Sequence, residues 1–176
     1  NDLLPELFFL LSHAIMILYT FRHYVFSFAA IKHRSENQQS QNQHTIFQPH
    51  VSIIIPARNE EKVIERLLRR LTELKYPKHK LEIIVMNDQS TDRTGEIAET
   101  YASENPEFIK VVHRKIGGVG KAAVLNEGLH HALGEIIGFF DADYIPQRDI
   151  LEKTLPHFLD PKVGVVQGRI SVFNER

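Results

Sequence analysis

The sequence contains no cysteine and has no marked excess of charge of either sign. Without cysteine, the chain cannot form a disulfide, bind a metal through thiolates or use a cysteine nucleophile. Its 21 lysine and arginine residues nearly balance 22 aspartate and glutamate residues. This balance argues against a dedicated nucleic-acid-binding protein, which would present a basic surface. At 176 residues the chain has room for one α/β domain plus a short additional segment.

Two common nucleotide-binding signatures are also missing, although the segment Arg114–Lys121 is rich in glycine and basic residues. A Walker A loop requires serine or threonine after its lysine, but Ala122 follows Lys121. The dinucleotide fingerprint requires a third glycine, which the run from Gly118 to Gly120 lacks, so a dehydrogenase is disfavoured. The segment is either a flexible surface turn or a loop in which Lys121 approaches a diphosphate.

The first 34 residues are dominated by apolar side chains, and the stretch Leu7–Phe21 has no formal charge. Because a helix needs about 20 mostly apolar residues to cross a bilayer, we predict a transmembrane helix over residues 1–34. An interfacial helix and a signal sequence are the alternatives, but a cleavable signal should begin with basic residues. Here Asp2 and Glu6 stand at the start and Arg22 near the far end. The positive-inside rule therefore predicts that the rest of the chain is cytoplasmic.

Residues 35–50 are rich in glutamine, asparagine and serine, and we predict a polar linker there. From Val51 onward, short apolar runs alternate with helical patterns, which is typical of an α/β domain with a mostly parallel sheet flanked by helices. The predicted strands are Val51–Ile55, Leu81–Met86, Phe108–His113, Ile136–Phe140 and Val163–Gln167. The predicted helices are Glu60–Lys75, Asp92–Ser103, Lys121–Ala132 and Asp149–Leu159.

Two aspartates, Asp141 and Asp143, directly follow the predicted strand Ile136–Phe140. Open α/β sheets hold their ligands at the carboxyl ends of their strands, and side chains two residues apart on a strand point the same way. Two such carboxylates could bind a hard divalent cation that carries substrate phosphates. The alternative is a solvated turn, because aspartate is common in turns.

Polar segments also follow the first and second predicted strands, and each leads into a helix. The first segment contains Asn59 and Glu60, and the second contains Asp88. A helix start can hold an anion or a nucleotide, and a carboxylate can accept hydrogen bonds from a base or a ribose. Simple helix capping is the alternative for both segments. Because the ends of parallel strands meet, Glu60, Asp88, Lys121 and the two aspartates are predicted along one edge of one sheet.

Four short motifs carry a family resemblance. They are PARNE at 56–60, ND-x-STD at 87–92, GK-x-x-x-LN-x-G at 120–128 and DAD at 141–143. In order and spacing they resemble the inverting family 2 glycosyltransferases of the Rossmann-like GT-A fold, over roughly residues 51–176. With the preceding apolar helix, the chain resembles the membrane-bound cellulose-synthase-like branch, which includes processive synthases of cellulose, glucomannan and poly-N-acetylglucosamine. The sequence VQGR at 166–169 resembles a segment near the donor or acceptor sugar in that branch.

The resemblance implies a UDP- or GDP-sugar donor, a polysaccharide or lipid acceptor, and Mg²⁺ or Mn²⁺ as cofactor. It implies a location at the inner or plasma membrane, with the transferase domain in the cytoplasm. Carried over to this sequence, Pro56, Ala57 and Glu60 would contact the nucleotide, Asp88 the base, and Lys121 the base or diphosphate. Asp141 would face the ribose and the metal, and Asp143 would coordinate the metal.

The sequence departs from the family pattern in two ways. Asn87 stands where the family often has a first acidic residue. The acidic catalytic base and the Gln-x-x-Arg-Trp motif do not occur before Arg176, so the base is expected C-terminal to that residue. Residues 51–176 are therefore expected to be the donor-binding part of a longer enzyme, inactive alone. The alternative is a non-catalytic, membrane-tethered nucleotide-binding or scaffold module.

Overall fold

The computed structural model describes residues 3–39, 47–115 and 120–168. The chain divides into two compact units, Asn1–Ile46 and Phe47–Arg176. The first unit contains one helix, α1 (Leu3–Gln39). Its stretch Phe8–Phe26 has a mean hydropathy of 1.2 and is long and apolar enough to cross a membrane.

Helix α1 continues through Gln39, beyond the end predicted at residue 34. Extending an existing helix needs no new nucleation, and glutamine and glutamate are good helix formers. The first residues of the predicted linker are therefore helical, whereas residues 40–46 lie outside the described part of the chain.

The second unit contains a four-stranded sheet with the strand order β3-β2-β1-β4. The strands are β1 (Val51–Ala57), β2 (Leu81–Asp88), β3 (Ile109–Arg114) and β4 (Ile136–Phe139). All neighbouring strands pair in parallel, as the sequence predicted. The chain builds the sheet outward from β1 to β3 and then returns to the other side of β1. The gap between β1 and β4 is thus a topological switch point, where open α/β sheets bind ligands.

Helices cover both faces of this sheet. They are α2 (Ile64–Thr72), α3 (Thr94–Glu104), α4 (Lys121–His131) and α5 (Ile150–Thr154). Two clusters of buried apolar side chains form the core. One packs α2, α3 and α5 on one face of the sheet, and the other packs Val124 of α4 against Ile54, Ile84 and Met86 on the opposite face. Because the central strands are buried on both faces, their sequence is continuously apolar rather than alternating.

Two predicted helices are α-helical over only part of the predicted length, namely α2 (Ile64–Thr72) and α5 (Ile150–Thr154). The Glu60 carbonyl accepts hydrogen bonds from the amides of Val63 and Ile64, so a turn precedes α2. The predicted helix Asp149–Leu159 is α-helical only in α5 and continues as a 3₁₀ helix over Leu155–Leu159. Pro156 has no N–H and cannot donate an α-helical hydrogen bond, which explains this change.

The first strand was predicted to end at Ile55, but β1 continues through Pro56 to Ala57 and pairs with β2 throughout. The Ile54 carbonyl accepts a hydrogen bond from Phe140 on the β4 side. Backbone groups alternate in direction along a strand, so those of Pro56 also point to that side. The pairing of β1 with β4 ends at Ile54, so the missing N–H of proline breaks no ladder bond.

The predicted strand Val163–Gln167 is wrong. The structure has no strand there, and Val165 is 84% exposed. The Val163 amide instead donates to the Asp160 carbonyl at 2.9 Å, closing a turn. Valine favours strands, but a strand forms only where a neighbour can pair with it, and none does so within the described residues. The VQGR segment extends to Arg169, which lies outside them.

Candidate functional site

The carboxyl ends of β1, β2 and β4 meet at one edge of the sheet. Ala57 at the end of β1 lies opposite Asn87 of β2, one residue before Asp88. Phe140, just after β4, donates its amide to the Ile54 carbonyl at 3.2 Å. The structure therefore brings the loops that carry Asp88 and Asp141 to either side of β1, as the sequence predicted.

The two aspartates after β4 belong to one tight turn, over residues 141–144. The Tyr144 amide donates to the Asp141 carbonyl at 3.0 Å. Ala142 between the aspartates is 5% exposed and packs in the core, whereas Asp141 and Asp143 are exposed. The buried alanine anchors the turn, so both carboxylates are accessible to a ligand.

Lys121 forms an ion pair with Asp141 through its Nζ atom. It is the first residue of α4 and follows Gly120, whose φ of 94° places it in the left-handed region that favours glycine. Both side chains are 57% exposed, and an exposed pair of this kind contributes less than about 1 kcal/mol. A ligand can therefore displace either partner at small cost. The preceding glycine-rich residues, 116–119, lie outside the described part of the chain.

The oxygen donors of Asp141 and Asp143 suit a hard cation such as Mg²⁺ or Mn²⁺. No group of three or more histidine, aspartate or glutamate side chains could hold a metal within the described residues. A cation held by these two carboxylates would complete its coordination with oxygens from outside the chain. Phosphate and water oxygens are the usual additional ligands of Mg²⁺. The donor set thus fits a cation that binds together with a phosphate-bearing ligand.

Asp88 is largely buried, with 8% of its surface exposed. Its Oδ1 lies 2.5 Å from Nη1 of Arg114, and its Oδ2 lies 3.9 Å from Nη1 of Arg58. Arg114 also donates through Nε to Oε2 of Glu127 on α4 at 2.7 Å. The hydrogen bond to Glu127 and the charge of Asp88 raise the pKa of Arg114 despite its burial. Arg114 thereby joins the ends of β2 and β3 to α4.

Sequence reasoning missed Arg114 and Glu127 as parts of the site. A signal was available for Arg114, because it ends a strand as Asp88 does and lies opposite Asp88 in the register. Glu127 had no comparable signal, since only the packing of α4 brings it to Arg114.

The loops after β1 and β2 bind each other through a set of reciprocal hydrogen bonds. Asn59, with a φ of 58°, accepts from the Thr91 amide at 2.8 Å and donates its own amide to Ser90 Oγ at 3.1 Å. The Glu60 amide donates to Thr94 Oγ1 at 2.7 Å. Further bonds join Glu61 to Asp92 and Arg93. The polar residues that the sequence offered as helix caps therefore hold the two loops together.

The six predicted donor-binding residues occupy different settings at this edge. Pro56 is half-buried and Ala57 buried at the end of β1, and Glu60 is half-buried in the loop that follows. Asp88 is largely buried and pairs with Arg58 and Arg114, whereas Lys121 and Asp141 form an exposed ion pair. Asp143, predicted only as a metal ligand, makes no hydrogen bond or ion pair with any of these six among the described residues.

Gly128, in the third motif, has a packing role. A Cβ atom there would lie 2.7 Å from Cγ2 of Ile54 and 3.3 Å from Cγ of Met86. Glycine therefore lets α4 approach the sheet closely enough to place Lys121 beside Asp141.

The chain is similar in sequence to known proteins. A sequence match to the probable glycosyltransferase YdaM of Bacillus subtilis (strain 168) has 39% identity and covers 94% of this chain and 38% of that protein. The beta-monoglucosyldiacylglycerol synthase of Synechocystis sp. (strain ATCC 27184 / PCC 6803 / Kazusa) is 38% identical over 74% of this chain and 27% of its own length. This chain thus spans less than two fifths of each relative.

A solved structure is similar as well. The mannosyltransferase PcManGT from Pyrobaculum calidifontis, in complex with GDP-Man and Mn²⁺, superposes with a TM-score of 0.64 and 37% sequence identity. The match covers 68% of this chain and 35% of that one. The α/β sheet described above is therefore the GT-A fold. Residues 52–176 match the family described as Glycosyl transferase family 2, and the chain belongs to that family.

Proposed function

We propose that this chain is the donor-binding part of a membrane-bound, inverting glycosyltransferase. The enzyme would transfer a hexosyl unit from a UDP- or GDP-sugar to a polysaccharide or lipid acceptor. The observation that supports this most is the meeting of Asp88, Lys121 and the Asp141–Asp143 turn at the switch point of the sheet. The complexes named for the solved relative, with GDP-Man and Mn²⁺, support a nucleotide-sugar and a divalent cation as ligands.

Each residue has a role that its setting supports. Asp88, held by Arg114, would accept hydrogen bonds from the base, and Pro56, Ala57 and Glu60 would line the nucleotide. Lys121 would leave its exposed pair with Asp141 to contact the diphosphate. Asp141 and Asp143 would hold Mg²⁺ or Mn²⁺. When bound, the cation neutralises negative charge on the leaving diphosphate.

The membrane anchor and the acceptor side involve the whole protein. Helix α1, with its apolar stretch Phe8–Phe26, would anchor the enzyme in the inner or plasma membrane, and residues 51–176 would face the cytoplasm. The acceptor hydroxyl would attack the donor from the face opposite the leaving diphosphate. The base that deprotonates this hydroxyl is expected beyond Arg176. The apolar helix before the transferase domain supports the cellulose-synthase-like branch.

The test is a nucleotide-sugar panel on the full-length protein in membranes, with donor binding and released diphosphate both measured. Asp143→Asn should weaken Mn²⁺-dependent donor binding about tenfold or more, since it removes a charged oxygen ligand. Glu107→Gln is the matched control, because this carboxylate is exposed and lies before β3, at the other edge of the sheet. Binding that is insensitive to both Asp143→Asn and chelation would overturn the proposal. Donor binding without diphosphate release would favour the non-catalytic module.

A further inference from the structure

Asn87 fills a confined position beside Asp88. It is 7% exposed and lies between Ala57 of β1 and His113 of β3 in the strand register. Its Oδ1 accepts a hydrogen bond from the Ser90 amide at 3.3 Å, and its Nδ2 lies 2.9 Å from Nδ1 of His113. A Cβ atom at Gly95 would come within 2.6 Å of the same Nδ2. The space around this amide is therefore closely fitted.

The hydrogen-bond partners define the direction of each bond. The Ser90 amide can only donate, so the Asn87 atom that faces it must be the carbonyl oxygen. Nδ2 then donates to Nδ1 of His113, so this ring nitrogen carries no proton. The imidazole proton lies on Nε2 and is donated to Oε1 of Glu99 on α3 at 2.8 Å. Glu99, His113 and Asn87 thus form one directed chain of hydrogen bonds, here termed the Asn87 relay.

This arrangement explains why an uncharged residue precedes Asp88. An aspartate at position 87 could bond to His113 only if Nδ1 carried a proton, so it could not use the imidazole in the form that donates through Nε2 alone. It would also put a second carboxylate next to Asp88 in a largely buried place, where like charges disfavour each other. An asparagine satisfies both the Ser90 amide and the neutral imidazole.

The relay ends at the loop that follows Asp88, the last residue of β2, here termed the Asp88 loop. Gln89 has a φ of 55°, a left-handed conformation that costs free energy for a non-glycine residue unless its surroundings hold it. The bond from the Ser90 amide to Asn87 holds the loop on one side. On the other side, Ser90 Oγ accepts the Asn59 amide of the neighbouring loop at 3.1 Å. The orientation of the Asn87 amide therefore affects the loop after β2 directly and the loop after β1 through Ser90.

We propose that His113 is a positioning residue, which acts through Asn87 to hold the Asp88 loop in its ligand-binding conformation. This inference rests on the proposed function for its effect on the donor. It assigns a role to a histidine that no sequence motif singled out.

The first experiment compares His113→Leu with His113→Asn in the full-length protein. The asparagine oxygen can replace Nδ1 as acceptor, but neither variant can reach Glu99. His113→Leu should raise KM for the donor about fivefold with kcat little changed, a size that matches the loss of one hydrogen bond. His113→Asn should restore KM, although both variants lose the same bond to Glu99. His130→Leu, at an exposed histidine of α4, is the control and should leave KM unchanged.

A second measurement reads the loop without any ligand. Hydrogen exchange of the Ser90 amide should become faster in His113→Leu and in Asn87→Leu, and the double variant should exchange no faster than Asn87→Leu alone. Additive effects, or unchanged exchange in His113→Leu, would overturn the relay. A wild-type protein that turns over no nucleotide-sugar would count against the proposed function instead, while the exchange result still decides the inference.

Discussion

The two edges of the sheet use polar side chains in opposite ways. At the amino edge, Glu82 accepts hydrogen bonds from Ser52 Oγ at 2.5 Å, from Lys110 Nζ at 2.6 Å and from the Leu133 amide at 3.0 Å. The Gly134 amide donates to Ser52 Oγ at 2.8 Å.

At the carboxyl edge, Lys121 and Asp141 are more than half exposed and bind only each other through their side chains, within the described residues.

The polar groups of the amino edge contribute mainly to stability, and the exposed charges of the carboxyl edge are available for binding. Polar groups at the amino edge join β1, β2 and β3 to the connection between α4 and β4, and they leave little capacity for a ligand. The exposed charges at the carboxyl edge contribute little to folding, because water screens them. Changes at the amino edge should therefore lower stability, and changes among the exposed carboxyl-edge charges should lower donor affinity. Arg114 is the exception that tests this division, because it is buried at the carboxyl edge.

Arg114→Leu should have the largest effect on stability. The substitution leaves Asp88 and Glu127 without the guanidinium that both contact, and breaking a buried ion pair from one side costs about 3–5 kcal/mol. The free energy of unfolding in urea measures the loss. Arg93→Leu, whose side chain is 71% exposed in its pair with Glu96, is the control and should cost less than about 1 kcal/mol. Equal losses in the two variants would contradict the assigned role of Arg114.

Gly134→Ala should have the next largest effect. Its Cβ atom would lie 2.4 Å from the Ser52 amide nitrogen and 2.8 Å from Ser52 Oγ, so backbone must move. Overpacking of this kind costs about 1–3 kcal/mol, and donor affinity should not change. Gly164→Ala provides the matched control, since nothing lies within 4 Å of the added atom. A loss of donor affinity at constant stability would break the separation between the edges.

Glu82→Gln should have a smaller and pH-dependent effect. Burial tends to raise the pKa of Glu82, but hydrogen bonds from Lys110, Ser52 and Leu133 outweigh it and hold the pKa below its usual value. A depressed pKa contributes stability above the unfolded value of about 4.3, and that contribution is lost as the pH falls through the folded pKa. Near pH 7 the variant should be less stable by about 1–2 kcal/mol. Unfolding midpoints recorded from neutral to acid pH should converge with those of the wild type; a constant gap would refute the assignment.

Lys121→Met should have the smallest effect on stability and a clear effect on binding. Loss of an exposed ion pair costs less than about 1 kcal/mol, whereas donor affinity should fall about tenfold, because the substitution removes the cation proposed to contact the diphosphate. Lys153→Met is the control, because Lys153 of α5 is 54% exposed and pairs with Asp149, and its loss should leave affinity unchanged. Donor binding should be titrated on both variants under identical salt. If both bind the donor as the wild type does, Lys121 has no part in the site.

The carboxyl edge was predictable because it depends on order along the chain. Apolar runs mark buried parallel strands, and whatever follows such a strand must lie at the same edge as its counterparts. This rule was enough to place Asp88, Lys121 and Asp141 before any contact was known.

Contacts between side chains far apart in sequence were not predictable in the same way. Arg114 reaches Glu127 only because α4 packs over β1 and β2, which Gly128 permits. The predicted strand at Val163 failed for a related reason. Its β-branched residues have the propensity for a strand, but pairing depends on a neighbour that propensity does not reveal.

The sequence by itself determined that this chain forms a parallel α/β sheet, that its polar loops follow the strands, and that an apolar helix precedes them. These features follow from periodicity and chain order, which are local properties. Only the tertiary structure decided how far each polar group is exposed and which partner it has. Asp88 is largely buried and paired with Arg114, and Asn87 is oriented by His113, whereas Lys121 and Asp141 stay exposed. Exposure and partnership depend on how strands and helices pack, and no local pattern encodes them.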